Sequence, residues 1–134
     1  SPFVKNKIVV DTTVPLVPPK VARVQLPEYG SVAKLTQDFL GSEVRVVSAF
    51  QNVAATNLHK DNFSHGEVLV FGNNKDSREI VIDLIEKIDL KGWHAGSIDN
   101  SVVAEGLTSI LIFMNKYYKM DGAGIKINDS SLGS

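Results

Sequence analysis

Few residues in this chain are equipped for covalent chemistry. The three histidines, His59, His65 and His94, lack the i,i+4 spacing of a helical metal pair. There is no cysteine, so thiolate nucleophiles, disulfides and cysteine-based zinc sites are excluded. The histidines read as surface or edge residues, and no metal is expected. Glu79, Asp83 and Glu86 alternate with Lys75, Arg78 and Lys87, which marks a solvated helix face rather than paired catalytic carboxylates. No serine sits in a G-x-S-x-G elbow, and neither a Walker A loop nor a G-x-G-x-x-G follows a strand. Gly122-Ala123-Gly124 comes after a helical pattern instead of opening one, so it is not a dinucleotide fingerprint.

What remains is two loops of small residues beside buried elements. Gln51-Asn52-Val53-Ala54-Ala55 leaves the end of a strand pattern, where open α/β sheets bind ligands. Small side chains there let a flat ligand approach the backbone, and the amides can hydrogen-bond its carbonyls; tight packing explains the same composition. Asp121-Gly122-Ala123-Gly124-Ile125 carries the same two readings. Glu105 and Thr108 lie on the polar stripe of an otherwise apolar helix, where a hydroxyl needs either a ligand or a carbonyl one turn back.

These loops must be positioned by a short list of elements. Ile8-Val9-Val10 is a strand pattern, followed by a proline-rich extended stretch, Val14 to Pro19. Ser31 caps a short helix with Val32, Leu35, Phe39 and Leu40 at helical spacing and Gly41 as a stop. Strands follow at Val44–Ser48 and Val68–Phe71, the latter continuously apolar as in a strand covered on both faces. A helix carries Ile80, Val81, Leu84, Ile85 and Ile88 as one stripe, with Asp76 and Glu79 resembling a capping box. Lys91–Gly96 reads as a short edge strand, and Asp99-Asn100-Ser101 supplies cap residues for the longest helix, from Val102 to Tyr118. That helix is apolar nearly all round, leaving only Glu105, Thr108, Asn115 and Lys116 polar, which predicts burial on two sides, between layers or against another chain.

A chain of 134 residues with 43% apolar and 22% charged residues supports one globular core and no full two-domain enzyme. The net charge of -1 and the lack of a dense basic run speak against nucleic-acid binding. The longest apolar run, Ile110 to Met114, is far too short to span a membrane, and no signal peptide opens the chain, so a cytoplasmic location is the expectation. The abrupt start on a strand, with no initiator methionine, suggests the later part of something longer.

The order of motifs resembles the C-terminal part of the NADPH-dependent coenzyme F420 reductases. The resemblance is carried by Lys7–Val10 through Pro18, Val46–Ala55, Val68–Asn73, and Asn100–Thr108 with Gly122–Ile127. It runs from about Lys7 to Ile127 and rests on four motifs in the right order, none diagnostic alone. At three positions, Gln51, Val102 and Gly106, the chain departs from the histidine, arginine and serine of archaeal members.

The resemblance implies an α/β fold: the later strands of a Rossmann-like sheet plus a C-terminal helical portion with the long two-sided apolar helix. Residues 1–134 would form a single unit, with the last sheet strands and ligand loop in 1–72 and the helical, subunit-contact portion in 73–134. The family's glycine-rich Rossmann half is absent. The implied activity is hydride transfer between NADP(H) and the 5-deazaflavin coenzyme F420, with this chain giving the deazaflavin side of the cleft. That chemistry needs alignment and no acid-base residue from the chain. Val53 would sit behind the rings, Gln51 and Asn52 would edge the pocket, backbone amides of Ala55 and Ala123 would meet ring carbonyls, and Ala54 and Gly124 would also belong to the cofactor-binding set. Thr108 would contribute a hydroxyl, while Pro15 and Leu16 would shape the nicotinamide junction. A homodimer through the 102–118 helix is implied, and the isolated chain is expected to be inactive without the phosphate-binding half. The competing expectations are a non-catalytic dimerisation or ligand-binding module, and a Rossmann-type dehydrogenase acting on another substrate.

Overall fold

A computed structural model describes residues 5–16, 18, 20–25, 28, 30–53 and 66–132. Among the described residues, four strands form one mixed sheet in chain order: β1 (Ile8–Asp11), β2 (Arg45–Ser48), β3 (Glu67–Gly72) and β4 (Lys91–His94). β1 runs parallel to β2, pairing Ile8 with Arg45 and Asp11 with Ser48. β2 meets β3 antiparallel, and β3 runs parallel to β4. Helix α1 (Val32–Leu40) connects β1 to β2, α2 (Lys75–Lys87) connects β3 to β4, and α3 (Ser101–Tyr118) follows a 3-10 turn at Ile98–Asn100.

Strand alternation divides the apolar residues between the two faces. Val47, Ala49, Val68 and Val70 pack against Val81, Ile82 and Ile85 of α2 with Leu90. Val46 and Val44 pack instead against Ala33 of α1 and Ile98. Both faces of β2 are thus covered, which is why its two adjacent valines are nearly inaccessible. β4 approaches α2 closely because it carries Gly92: a Cβ there would sit 3.1 Å from both Cγ atoms of Ile82.

The helix boundaries follow local chemistry, with some departures from the sequence pattern. Ser31 caps α1 as expected, its Oγ accepting from the Lys34 N–H at 2.9 Å, and Gly41 ends the helix at φ +88°. Leu35 and Phe39 do not face the core, however; Phe39 is 85% exposed. α1 packs through Ala33 and Leu40 instead. At α2 the cap is Asn74, whose Oδ1 accepts from the Ser77 N–H, rather than an Asp76–Glu79 box. Asp76 already lies inside the first turn, where it complements the helix dipole. Asn100 makes no side-chain cap for α3, since the preceding residues already wind as 3-10 helix. The expected α2 stripe also splits: Val81 and Ile85 are buried, while Ile80, Leu84 and Ile88 are about half exposed.

The orientation of α3 reverses a simple reading of its pattern. Ser101, Ala104, Glu105, Gly106, Ser109 and Leu111 are its buried residues, whereas Val103, Ile110, Phe113, Tyr117 and Tyr118 are exposed. The polar side chains turn inward because partners await them there, and a large apolar surface is left outside. No helix among the described residues is long and apolar enough to cross a membrane.

Candidate functional site

β1 and β2 end side by side at Asp11 and Ser48, and the loop that follows β2 begins with a conformational outlier. Phe50 has φ +72°, a left-handed geometry that costs a bulky residue about 1–3 kcal/mol. It turns the chain, and the Val53 N–H donates to the Phe50 carbonyl at 3.1 Å to close a turn over Gln51 and Asn52. Packing of the Phe50 and Val53 side chains against the α2-side core offsets that strain.

Both amide side chains of this turn are buried, Gln51 to 5% and Asn52 to 1% exposure. The Gln51 Nε2 donates to the Asp11 carbonyl at 2.8 Å, tying the loop to the end of β1. The Asn52 Nδ2 donates to the Glu67 carbonyl at 2.8 Å, tying it to the start of β3. From α3, the Thr108 Oγ1 donates to the Gln51 carbonyl at 2.5 Å. Two strands and a helix therefore hold one short turn. The remaining oxygens, Gln51 Oε1 and Asn52 Oδ1, are buried without a hydrogen-bond partner among the described residues. Each such acceptor costs about 1–3 kcal/mol if nothing satisfies it.

The C-terminal turn closes the other side. The Asn115 Oδ1 accepts from the Ala123 N–H at 2.7 Å, bringing Ala123 back against α3. Gln51, Asn52, Val53, Thr108, Leu111, Ile112, Asn115 and Ala123 then line a cavity of about 110 Å³. That volume holds the edge of a ring system, not a whole tricycle. A larger open cleft of about 630 Å³ lies elsewhere, between the end of α1 and Asn73–Asn74; the Gln37 side chain at its wall is already committed to the backbone of Gly41, Val44 and Val46.

Five of the ten candidate residues meet at the small cavity: Gln51, Asn52, Val53, Thr108 and Ala123. Pro15, Leu16 and Gly124 are not among its lining, and Ala54 and Ala55 lie outside the described residues. Two expected contacts have a different occupant. The Thr108 hydroxyl is spent on the Gln51 carbonyl, with the Ala104 carbonyl at 3.3 Å, and the Ala123 N–H is spent on Asn115. His94 sits on the edge strand with its Nδ1 accepting from Arg78 Nε at 3.2 Å; His59 and His65 lie outside the described residues. Among the described residues no group of histidines and carboxylates forms a metal-binding cluster.

Glu105 is the residue whose role the sequence pattern hides. It is 1% exposed, and its carboxylate oxygens accept from the backbone N–H groups of Val32 at 2.7 Å and Ala33 at 3.1 Å. Burial pushes its carboxyl above the ordinary value, the two backbone bonds pull the other way, and the nearby Asp11 charge adds to the rise. Next to it, the Ser101 and Ser31 hydroxyls meet at 2.6 Å. One face of α3 thus fastens α1 through Ser101 and Glu105 and the ligand loop through Thr108. A lone acid in an apolar helix was the available signal.

No family profile matches the chain. A protein of Methanocaldococcus jannaschii named F420-dependent NADP reductase is 40% identical over 130 residues, covering 93% of this chain and 58% of that protein. A protein of the same name from Methanothermobacter thermautotrophicus is 31% identical over 94% of the chain and 57% of its own length. The chain is similar to the C-terminal part of these proteins named F420-dependent NADP reductase. It spans somewhat over half the length of these reductases. The fold agrees: a crystal structure from Arthrobacter sp. FB24, described as a candidate F420-dependent NADP reductase, superposes with a TM-score of 0.74 at 22% identity, covering 94% of this chain and 60% of that one. The α/β architecture is therefore shared with that structure.

Proposed function

We propose that the intact protein transfers hydride between NADP(H) and the 5-deazaflavin coenzyme F420, and that this chain provides the deazaflavin side of the cleft. The observation that carries the reading is the cavity at the C-terminal ends of the parallel pair β1 and β2, where α/β sheets bind ligands. It is supported by the names of the relatives.

The cavity residues fit one edge of a deazaflavin. Val53 and Leu111 offer apolar contact to such an edge. When bound, the deazaflavin supplies a carbon centre that takes or gives hydride. The chain's own residues hold the ring edge, fix its orientation through the tethered Gln51–Val53 turn, and keep water out beneath it. The phosphates of NADP(H) find no comparable fit, since no glycine-rich loop opening a helix stands in the sequence. That role falls to an N-terminal half. β1 is suited to receive it, because one long edge of β1 pairs with no described strand and Val10 is 40% exposed. Pro15 and Leu16, which follow β1, shape the nicotinamide junction, and Ala54, Ala55 and Gly124 extend the ring site.

The exposed Val103, Ile110, Phe113 and Tyr117 of α3 form the contact of a cytoplasmic homodimer. The test is turnover of F420 with NADPH by full-length protein and by a Val53→Trp variant. Loss of turnover with the fold retained supports the pocket; unchanged kcat and KM in the variant sink it. The 134-residue chain alone is expected to show no turnover.

A further inference from the structure

One apolar strip of α2 stays half open. Ile80, Leu84 and Ile88 stand four residues apart, so they form a line along the helix, and each is about half exposed. The line is separate from the solvent face. With about 100° between successive residues, Asp83 and Glu86 point outward, Val81 and Ile85 point into the core, and the strip lies on one flank between them. The contacts of the other flank show which one it is. Arg78 Nε donates to His94 Nδ1 of β4 at 3.2 Å, and Ile82 lies over Gly92 of β4. The strip is therefore on the side away from β4 and overhangs the β1 end of the sheet. There Ile8 packs against the same core, and Val10, two residues on and on the same face of β1, is 40% exposed.

A helix is about 10 Å across and strands lie about 4.8 Å apart, so one helix covers about two strands. α2 packs chiefly on β3 and β4, which leaves room for a further helix over β1 on that face. α1 does not fill it, because α1 packs on the opposite face with Val9 and Val46.

We propose that Ile80, Leu84 and Ile88, together with Val10, seat an amphipathic helix from the N-terminal segment of the full-length protein. This rests on the reading that an N-terminal half joins at β1. The relatives that the chain matches extend beyond it at that end. Chain handedness then brings a helix to this place. The crossover from β1 to β2 puts α1 on one face of the sheet. Strands added outward from β1 run the sheet in the opposite sense, so their right-handed crossovers drop helices on the α2 face. The strip is continuous with the free edge of β1, and its occupant is the chain that pairs with that edge. α2 and the N-terminal half thus share one apolar core.

The test is carbene footprinting of the full-length wild-type protein, read residue by residue by mass spectrometry, with Asp83 and Glu86 on the same helix as the exposed reference. Ile80, Leu84 and Ile88 should label at about a tenth of the reference level or less, because a covered side chain is reached only through transient opening. Labelling of the strip on a par with Asp83 and Glu86 overturns the proposal. p-Benzoylphenylalanine introduced in place of Leu84, and separately of Ile80, identifies the cover. A cross-link within one chain to a peptide upstream of residue 1 is the expected result. A cross-link to residues 54–65 or to a second copy overturns the proposal, as does the lack of any cross-link from both positions. Turnover of F420 with NADPH is followed on the same wild-type preparation. An open strip in an active enzyme sinks this proposal alone, whereas a covered strip in a protein without turnover upholds it and counts against the hydride-transfer reading.

Discussion

Glu105 on α3 accepts a hydrogen bond from the backbone N–H of Ala33 at 3.1 Å, across 72 residues of sequence. With the Val32 N–H at 2.7 Å on its other oxygen, the carboxylate satisfies two of the donors that open α1. The side chain does for α1 what a local cap cannot, and in doing so fixes where α3 lies. Replacing Glu105 with Ala should leave two buried N–H groups unpaired and cost about 3 kcal/mol, read as a lower urea midpoint.

The same residue sets a pH dependence. Burial holds the Glu105 carboxyl above its ordinary value of 4.5, so the folded state binds more protons than the unfolded state between the two values. The stabilising contribution is present below pH 4.5 and is lost as pH rises through the folded value. The wild-type protein should therefore show a decline in stability on that limb that Glu105→Gln lacks. Parallel slopes in the two proteins, measured by urea denaturation at several pH values, would contradict the assignment.

Thr108→Val keeps the shape of the side chain and removes the donor to the Gln51 carbonyl. The carbonyl then loses a partner from α3, with an expected cost of about 1 kcal/mol and faster amide exchange at Gln51 and Asn52. Thr108→Ser should restore protection, which a purely steric role for the threonine would not explain.

Gly92→Ala introduces a Cβ 3.1 Å from Ile82 Cγ1 and Cγ2. The overlap should cost about 1–3 kcal/mol. Adding Ile82→Ala removes the atoms in the way, so the double variant should be less destabilised than the sum of the single changes. Strict additivity in thermal or urea unfolding would show that β4 and α2 are not in the described contact.

Ile110→Glu places a charge in the exposed apolar surface of α3, where Ile110 is 47% exposed. The fold should survive, since the site faces outward, and, on the proposed subunit contact, the full-length protein should fall to the monomer mass. Sedimentation or light scattering distinguishes this from an unchanged mass, which would move the subunit contact elsewhere.

Much of the architecture was legible because it rests on local periodicity. The strand patterns at Ile8–Val10 and Val68–Phe71, the Ser31 cap and the glycine stop at Gly41 need only neighbours in sequence to be read. The segment opening at Gln51 was legible as a loop from its place after a strand pattern, and its described residues Gln51–Val53 line the small cavity. Less legible was which face of each helix the tertiary contacts would take. Leu35 and Phe39 match an amphipathic pattern and remain outside, and Glu105 matches a solvated stripe and lies inside. Helical periodicity gives a direction only relative to the helix axis, and the partner that chooses the direction is dozens of residues away.

By itself, the sequence determined that the chain alternates strand and helix patterns and carries no cysteine chemistry, and its motif order resembles that of the F420-dependent NADP reductases. Only the tertiary structure decided the use of its polar groups. Thr108 and Ala123 are spent within the chain, while the buried oxygens of Gln51 and Asn52 have no partner among the described residues. The physical reason is that a hydrogen-bond group has a type in the sequence and a partner only in space. Which way each carboxamide turns depends on the carbonyls of Asp11 and Glu67 having taken its NH2 group.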